Sequence, residues 1–284
     1  MKIKNAMQLK ALIKNKASSI NVPAQLIMQN YVLERLLERI TKSQYKESFI
    51  IKGGFLLSAV IGLDTRTTKD LDATIKDFAL SKDSLNSKFA DIVSIDLEDG
   101  LQFELVDIRE IRENDEYPGL RVSLIAKFEQ LAVPLSVDVT TGDSIIPPPI
   151  LRTFNRMFGN GTFTALSYPL ETVIAEKIET VLSRSTANTR ARDYYDIYIL
   201  DHLDDDAIDR ALLREALIST ALHRNSTHIF EGYHDVVTLI ASDTELNRLW
   251  GSYAKKNYFA AGITFQDTCS SIVNLLSEAG YSGL

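Results

Sequence analysis

Between Leu26 and Ile40 the apolar residues Leu26, Val32, Leu33, Leu36, Leu37 and Ile40 recur at three- and four-residue spacings, which predicts an amphipathic helix over 23–43. Asn21 is its expected N-cap and Pro23 suits its first turn. Glu34, Arg35, Glu38 and Arg39 fall on the expected polar face. A shorter helix is expected over 5–17. After Lys46-Glu47 the pattern changes to a β-rich run, Ser48 to Lys52, closed by Gly53-Gly54. Phe55 to Leu63 reads as a short apolar helix, and Asp70 to Ile75 alternates polar and apolar positions as a half-buried strand does. A polar helix is expected over 80–91. Strands follow over 101–111, 120–128 and 131–140, with acidic turn residues and Pro118-Gly119 separating the first two.

Pro147-Pro148-Pro149 is incompatible with a helix interior or a central strand and marks the expected end of a first domain. Beyond it, 169–184 and 190–203 are amphipathic helical patterns, and the remainder to about 280 is mostly helical. The pattern therefore predicts a mixed α/β domain over 1–150 and a mainly helical domain over 151–284. Internal repeats and low-complexity tracts are absent from the sequence.

Composition narrows the class. The chain has 284 residues and a net charge of −7, long enough for about two domains with ordinary cores. The single cysteine, Cys269, cannot form an internal disulfide and reads as a small buried hydrophobe. The first residues lack the apolar stretch of a secretory signal, and no segment reaches the roughly 20 apolar residues that cross a bilayer. A cytoplasmic protein with no membrane contact is the expectation. The acidic balance argues against a protein that coats nucleic acid by neutralising phosphates. Residues 1–50 nevertheless hold nine Lys/Arg against three Glu, a local +6 that leaves −13 for the rest.

Two segments concentrate candidate chemistry. In the first, Asp70 and Asp72 occupy positions i and i+2 of a strand, so both carboxylates project from one face. Such a pair repels unless a cation lies between, and hard oxygen ligands suit Mg²⁺ with bound phosphate. Gly53-Gly54 upstream lets backbone approach a ligand and donate N–H groups to phosphate oxygens. Asp138, in the strand Leu135 to Thr140, is a third carboxylate among apolar neighbours, where an unpaired charge is costly. In the second segment, Lys177 falls on the apolar stripe of its helix and needs an anionic partner. Asp193 and Asp196 share a face of the next helix, and the basic, hydroxyl-rich loop Arg184 to Arg192 lies between. Pairing of Lys177 with these acids to lock two helices is the structural alternative. The four histidines show no metal-protease helix pattern and read as ordinary, and Gly159-Asn160-Gly161 lacks the rest of a dinucleotide fingerprint. Trp250, Tyr253 and Phe259 read as aromatic core ahead of a base-stacking surface.

Lys52 to Leu57, Arg66-Thr67-Thr68-Lys69-Asp70-Leu71-Asp72, Asp138 to Asp143, and Glu176-Lys177 through Arg192-Asp193-Tyr194-Tyr195-Asp196 resemble, in order, the motifs of the AbiEii/AbiGii toxin family. These are nucleotidyltransferase-like toxins, related to the MenT toxins within the DNA polymerase β-like superfamily. The resemblance spans roughly 30–200. It implies an α+β fold, a nucleotidyltransferase-like mixed sheet with flanking helices followed by a helical C-terminal domain, with the active site between the two. It further implies that Gly53 and Gly54 hold nucleotide phosphates, that Asp70 and Asp72 bind Mg²⁺, and that Asp138 is the general base or third metal ligand. Lys177 and Asp193 match the helical motifs, with lysine expected at the triphosphate and Arg66 or Arg192 assisting. The superfamily's commoner Gly-Ser is Gly-Gly here, and the gap to Asp70 is longer than in many relatives.

The function implied is that of a toxin in an AbiE-like toxin–antitoxin or abortive-infection system, which moves a nucleoside monophosphate from an NTP to an acceptor such as the tRNA 3′ end or another RNA. A cognate AbiEi-like antitoxin encoded nearby is the expected partner. Two other readings stay open. One is a transferase on the same fold that modifies an aminoglycoside-like small molecule or phosphorylates a protein. The other is a nucleotide-binding regulator without turnover.

Overall fold

A computed structural model describes residues 3–111, 119–204 and 206–281. The chain divides into two compact units, one of residues 1–143 with 150–167, the other of residues 144–149 with 168–284. The acidic turn with Pro118, expected between two strands, lies outside the described residues.

The first unit contains α1 (Ala6–Ser19), α2 (Ala24–Lys42), β1 (Phe49–Lys52), α3 (Gly53–Ile61), β2 (Asp70–Ile75), α4 (Lys82–Ser94), β3 (Gln102–Ile111), β4 (Gly119–Phe128), β5 (Leu131–Thr141), β6 (Ile150–Asn155) and β7 (Thr162–Ser167). Its strands form one seven-stranded mixed sheet in the order β3-β4-β5-β2-β1-β7-β6. β2 runs parallel to β5, β1 antiparallel to β2 and parallel to β7, and the two outer hairpins are antiparallel. Leu71, Ala73, Val137, Val139, Ile51 and Val122 are buried from the centre of the sheet. They are the apolar half of the alternation that the sequence displays.

Two features depart from the sequence expectation. Helix α2 starts at Ala24 with Pro23 as its N-cap, which makes no side-chain cap, while Asn21 adopts a left-handed φ of 53° outside the helix. Proline holds an N-terminal position well because its missing N–H has no helical partner there. The second departure is larger. The face of α2 expected to be polar and solvated is buried, with Glu34 and Arg35 each 6% exposed and Glu38 and Arg39 each 1%.

The charges are matched inside the fold. Arg35 and Arg39 both hold Asp99, at 2.8 Å each. Glu38 accepts from Arg35 and from Arg156 near the end of β6, and Glu34 accepts the backbone N–H of Met157 at 2.6 Å. Pairing of this kind is what lets charged groups leave water. Two arginines of the basic amino-terminal segment are therefore structural, whereas Lys4, Lys10, Lys14, Lys42 and Lys46 are exposed.

Strands β6 and β7 have no counterpart among the expected elements. Gly159-Asn160-Gly161 lies in the turn joining them, closed by a 2.9 Å bond from the Arg156 N–H to the Gly161 carbonyl. A glycine at 159 with φ of 90° supplies the left-handed turn residue.

The second unit carries α5 (Leu170–Arg184), α6 (Ala191–Asp201), α7 (Arg210–His223), α8 (Tyr233–Ser242), α9 (Thr244–Lys256) and α10 (Phe265–Glu278). Asp209 caps α7, Asp243 caps α9, and Thr264 with Asp267 forms a capping box on α10. Trp250 and Tyr195 are buried, the half-buried Tyr253 packs against both, and the half-buried Phe259 packs against Tyr195. Cys269 is fully buried, as expected of a small hydrophobe. No described helix is long and apolar enough to cross a membrane.

Candidate active site

The site on the first unit is assembled by register. β1 and β2 are antiparallel with Lys52 opposite Asp72, so the end of β1 lies beside the start of β2 and delivers Gly53-Gly54 to the two aspartates. β2 and β5 are parallel, with Asp70 opposite Ser136 and Asp72 opposite Asp138. Residues directly opposite on paired strands project from one face. Asp70, Asp72 and Asp138 thus share one side of the sheet.

Each carboxylate is held differently. Asp70 accepts a hydrogen bond from the Ser136 hydroxyl at 2.7 Å. Asp72 faces the start of α3, where the Gly54 N–H points at its Oδ2 from 3.4 Å. Asp138 accepts two bonds from Arg121 on β4, Nε to Oδ1 at 2.6 Å and Nη2 to Oδ2 at 2.7 Å. Burial, then the neighbouring Asp138 charge and to a lesser degree Asp70, push the Asp72 carboxyl above its ordinary value, while Lys52 and the Gly54 N–H pull it down. The Asp138 hydrogen bonds push Arg121 further up, and the charges of Asp70 and Asp72 act in the same direction.

The glycine pair is required sterically. At Gly53, which has φ of 66°, a Cβ would lie 2.0 Å from Asp72 Oδ2. At Gly54 a Cβ would lie 2.8 Å from Thr68 Oγ1 and 3.2 Å from Nη2 of the buried Arg66. The second contact gives a physical reason why this chain has glycine where Gly-Ser is commoner. Lys52 forms a 2.5 Å ion pair with Asp143, which also accepts from Thr140 at 3.0 Å. The loop after β5 is thereby tied to the strand that presents the glycines.

Oxygen-only donors with two carboxylates on one strand face suit a hard divalent cation, and the like-charge field that raises Asp72 is one a cation would relieve. Among the described residues no three His, Cys, Asp or Glu side chains are arranged to hold a metal ion. Each Asp138 oxygen accepts one hydrogen bond from Arg121.

In the second unit Lys177 on α5 lies 2.7 Å from Asp196 and 3.2 Å from Asp193, both on α6 and almost fully buried. Arg190 approaches Asp193 at 3.0 Å. The anionic partner demanded by an inward lysine is present, and the pair joins the two helices. Arg184, Arg190 and Arg192 are exposed around the intervening loop.

Residues 35–267 match the family described as nucleotidyl transferase AbiEii toxin, type IV TA system. The chain belongs to the AbiEii family. It is accordingly a transferase-type toxin of a type IV toxin–antitoxin family, which implies a cognate antitoxin. No curated protein matches the AbiEii-family chain. A crystal structure of a nucleotidyltransferase candidate from H. pylori is similar at 14% identity and TM-score 0.51, covering 92% of this chain and 98% of that one. JHP933 from Helicobacter pylori aligns at 14% identity and TM-score 0.47, covering 88% and 90%. An antigenic nucleotidyltransferase-like protein from Paracoccidioides brasiliensis aligns at 15% and 0.42, covering 76% and 93%. The first likeness concerns the fold, an α+β nucleotidyltransferase-like sheet with flanking helices.

Arg121, Ser136 and the Lys52–Asp143 pair are absent from the sequence-derived candidates of this AbiEii-family site. Arg121 and Ser136 sit in ordinary strand patterns and gain meaning only through register against Asp138 and Asp70. Lys52 and Asp143 flank recognised motifs, but nothing in the sequence pairs them across 91 positions.

Proposed function

We propose that this AbiEii-family protein is a Mg²⁺-dependent nucleotidyltransferase that moves a nucleoside monophosphate from an NTP to the 3′ end of tRNA, arresting growth until an AbiEi-like antitoxin encoded beside it intervenes. The single observation behind the reading is the in-register set Asp70, Asp72 and Asp138 beside a helix that opens on Gly53-Gly54.

Asp70 and Asp72 would hold Mg²⁺, with Asp138 as third ligand or base, and the ion would supply polarisation of the attacking and leaving oxygens. The chain's own groups do the positioning. N–H groups at the start of α3 donate to phosphate oxygens, where the helix dipole favours negative charge. Ser136 fixes the Asp70 carboxylate through its hydrogen bond. Arg66 supplies positive charge beside the glycine pair, offsetting charge on the departing pyrophosphate. Lys177 enters as a cation for the triphosphate and Asp193 as the residue that orients it. A terminal hydroxyl of the acceptor attacks the α-phosphorus, its proton passes to a carboxylate, and pyrophosphate leaves.

The acceptor assignment is supported by the exposed amino-terminal lysines and by Arg184, Arg190 and Arg192, which offer positive charge on an otherwise acidic protein. The test is a transfer assay with α-labelled NTPs, tRNA and other RNA, run with the wild type and with Asp70→Asn and Asp72→Asn. Label on the tRNA 3′ end that both variants abolish is the expected result. Label appearing only on a small molecule or a protein overturns the acceptor, and unchanged transfer and growth arrest in both variants overturn the catalytic assignment.

A further inference from the structure

A row of charged side chains crosses the sheet of the first unit. Arg109 on β3 is directly opposite Arg121 on β4, Arg121 opposite Asp138 on β5, Asp138 opposite Asp72 on β2, and Asp72 opposite Lys52 on β1. Partners directly opposite in a ladder share a face, so the whole row projects from the face that carries the candidate site. Cations occupy its two ends and carboxylates its middle.

The β1 end is internally matched. Lys52 pairs with Asp143 at 2.5 Å, and Gly53 opens α3 directly after it. The β3 end is not matched. Like charges directly opposite in a ladder destabilise it, and Arg109 and Arg121 are such a pair. Arg121 donates from Nε and Nη2 to Asp138, while its Nη1 makes no hydrogen bond among the described residues and its side chain is 30% exposed. Arg109 is exposed on the edge strand and forms no ion pair among the described residues. Asp107, two positions along β3, lies opposite Ser123 and makes no ion pair with either arginine. Two neighbouring guanidinium groups with N–H donors to spare call for an anion, and a phosphate fits their fork geometry.

We propose that Arg109 and Arg121 form a phosphate-binding site whose ligand is a backbone phosphate of a polynucleotide acceptor. The choice of acceptor over nucleotide rests on the transfer reading above, in which the NTP phosphates sit at Gly53-Gly54, on the β1 side of the carboxylates. Attacking and leaving oxygens lie roughly in line across the reacting phosphorus, so the attacking hydroxyl arrives from the other side, over β5, β4 and β3. Arg109 stands two strand spacings beyond β5, about 10 Å, where it meets the acceptor chain behind its reacting end. A phosphate contact there positions the acceptor and carries no base preference.

A labelled oligouridylate is the probe, titrated by fluorescence anisotropy against the full chain with Mg²⁺ and no NTP, so that binding is read without chemistry. Arg109→Gln should weaken binding about tenfold at low salt and reduce the slope of log K against log salt by about 0.7, the share of one phosphate on a single strand. Arg109→Lys keeps the charge and should recover most of both, whereas Arg109→Glu should bind most weakly. The melting temperature of Arg109→Gln should not fall, because the substitution removes a like charge opposite Arg121. UTP titrated by calorimetry separates the two sources of phosphate: a loss for oligouridylate alone assigns the site to the acceptor. No binding of oligouridylate by the wild type, unchanged affinity and slope in both Arg109→Gln and Arg109→Glu, a fall in melting temperature in step with lost binding, or a loss confined to UTP overturns the proposal. The transfer reading is judged separately. RNA that binds through Arg109 but accepts no label keeps the site and defeats that reading, and label on RNA whose binding ignores Arg109→Glu does the reverse.

Discussion

Arg121 closes on Asp138 through two parallel hydrogen bonds of 2.6 and 2.7 Å, so the third carboxylate of the candidate site is neutralised by a residue directly opposite it in the β4–β5 ladder. A fork-shaped guanidinium is well suited to this because it satisfies both oxygens at once. The same guanidinium lies in the field of Asp70 and Asp72. Without a cation, Arg121 is a main counter-charge for the cluster.

Replacing Arg121 with Gln should therefore leave three facing carboxylates short of a counter-charge. Urea unfolding in EDTA should show a loss of about 1–3 kcal/mol, and added Mg²⁺ should restore part of it. Equal destabilisation with and without Mg²⁺ would argue that Arg121 supports only the β-ladder.

Gly53→Ala should be far more damaging than an ordinary loop substitution. The new Cβ would meet Asp72 at 2.0 Å and the residue would be held at φ of 66°. Left-handed backbone costs a non-glycine residue about 1 kcal/mol, and displacement of Asp72 should lower transfer at least about a hundredfold. The check is a comparison of melting temperature with initial rate: a small shift in the first beside a large fall in the second is expected.

Glu34 gives a pH signature. Its folded-state pKa is raised from the ordinary 4.5 to about 7, so the folded protein binds the proton more tightly than the unfolded chain between those values. Stability from this group is fully present below about pH 4.5 and falls as pH rises through about 7, by about 3 kcal/mol in total. Urea midpoints across that window should fall in the wild type relative to Glu34→Gln, which keeps the acceptor for Met157 but cannot ionise. Parallel pH profiles would sink the assignment.

Lys177→Met should unfold more readily, because Asp193 and Asp196 would keep buried charge with less compensation. Breaking a buried pair from one side typically costs about 3–5 kcal/mol. Lys177→Met with Asp196→Asn should recover part of that stability. Transfer should stay low in both variants if Lys177 also serves the triphosphate, and recovery of activity along with stability would show its role to be structural.

The sequence by itself determined the elements whose apolar spacing is long and regular. Helices α2, α5 and α6 and strands β1 to β5 follow its periodicity closely, because burial of one face imposes that period on the residues. It also determined the family, through Gly53-Gly54, Asp70, Asp72, Asp138, Lys177 and Asp193 in order. Short-range chemistry suffices for such motifs, since i and i+2 on a strand share a face whatever surrounds them.

Only the tertiary structure decided which charges meet. Arg35, Arg39 and Glu38 look solvated in sequence and are buried in the fold, because the partners that complete their network, Asp99 and Arg156, lie tens of residues away. The strands β6 and β7 were hidden for a related reason: their short, weakly alternating runs acquire a place only when β7 pairs with β1. Register likewise decided that Asp138 faces both Asp72 and Arg121, since local periodicity gives the face of a strand but carries no information about its neighbour's alignment.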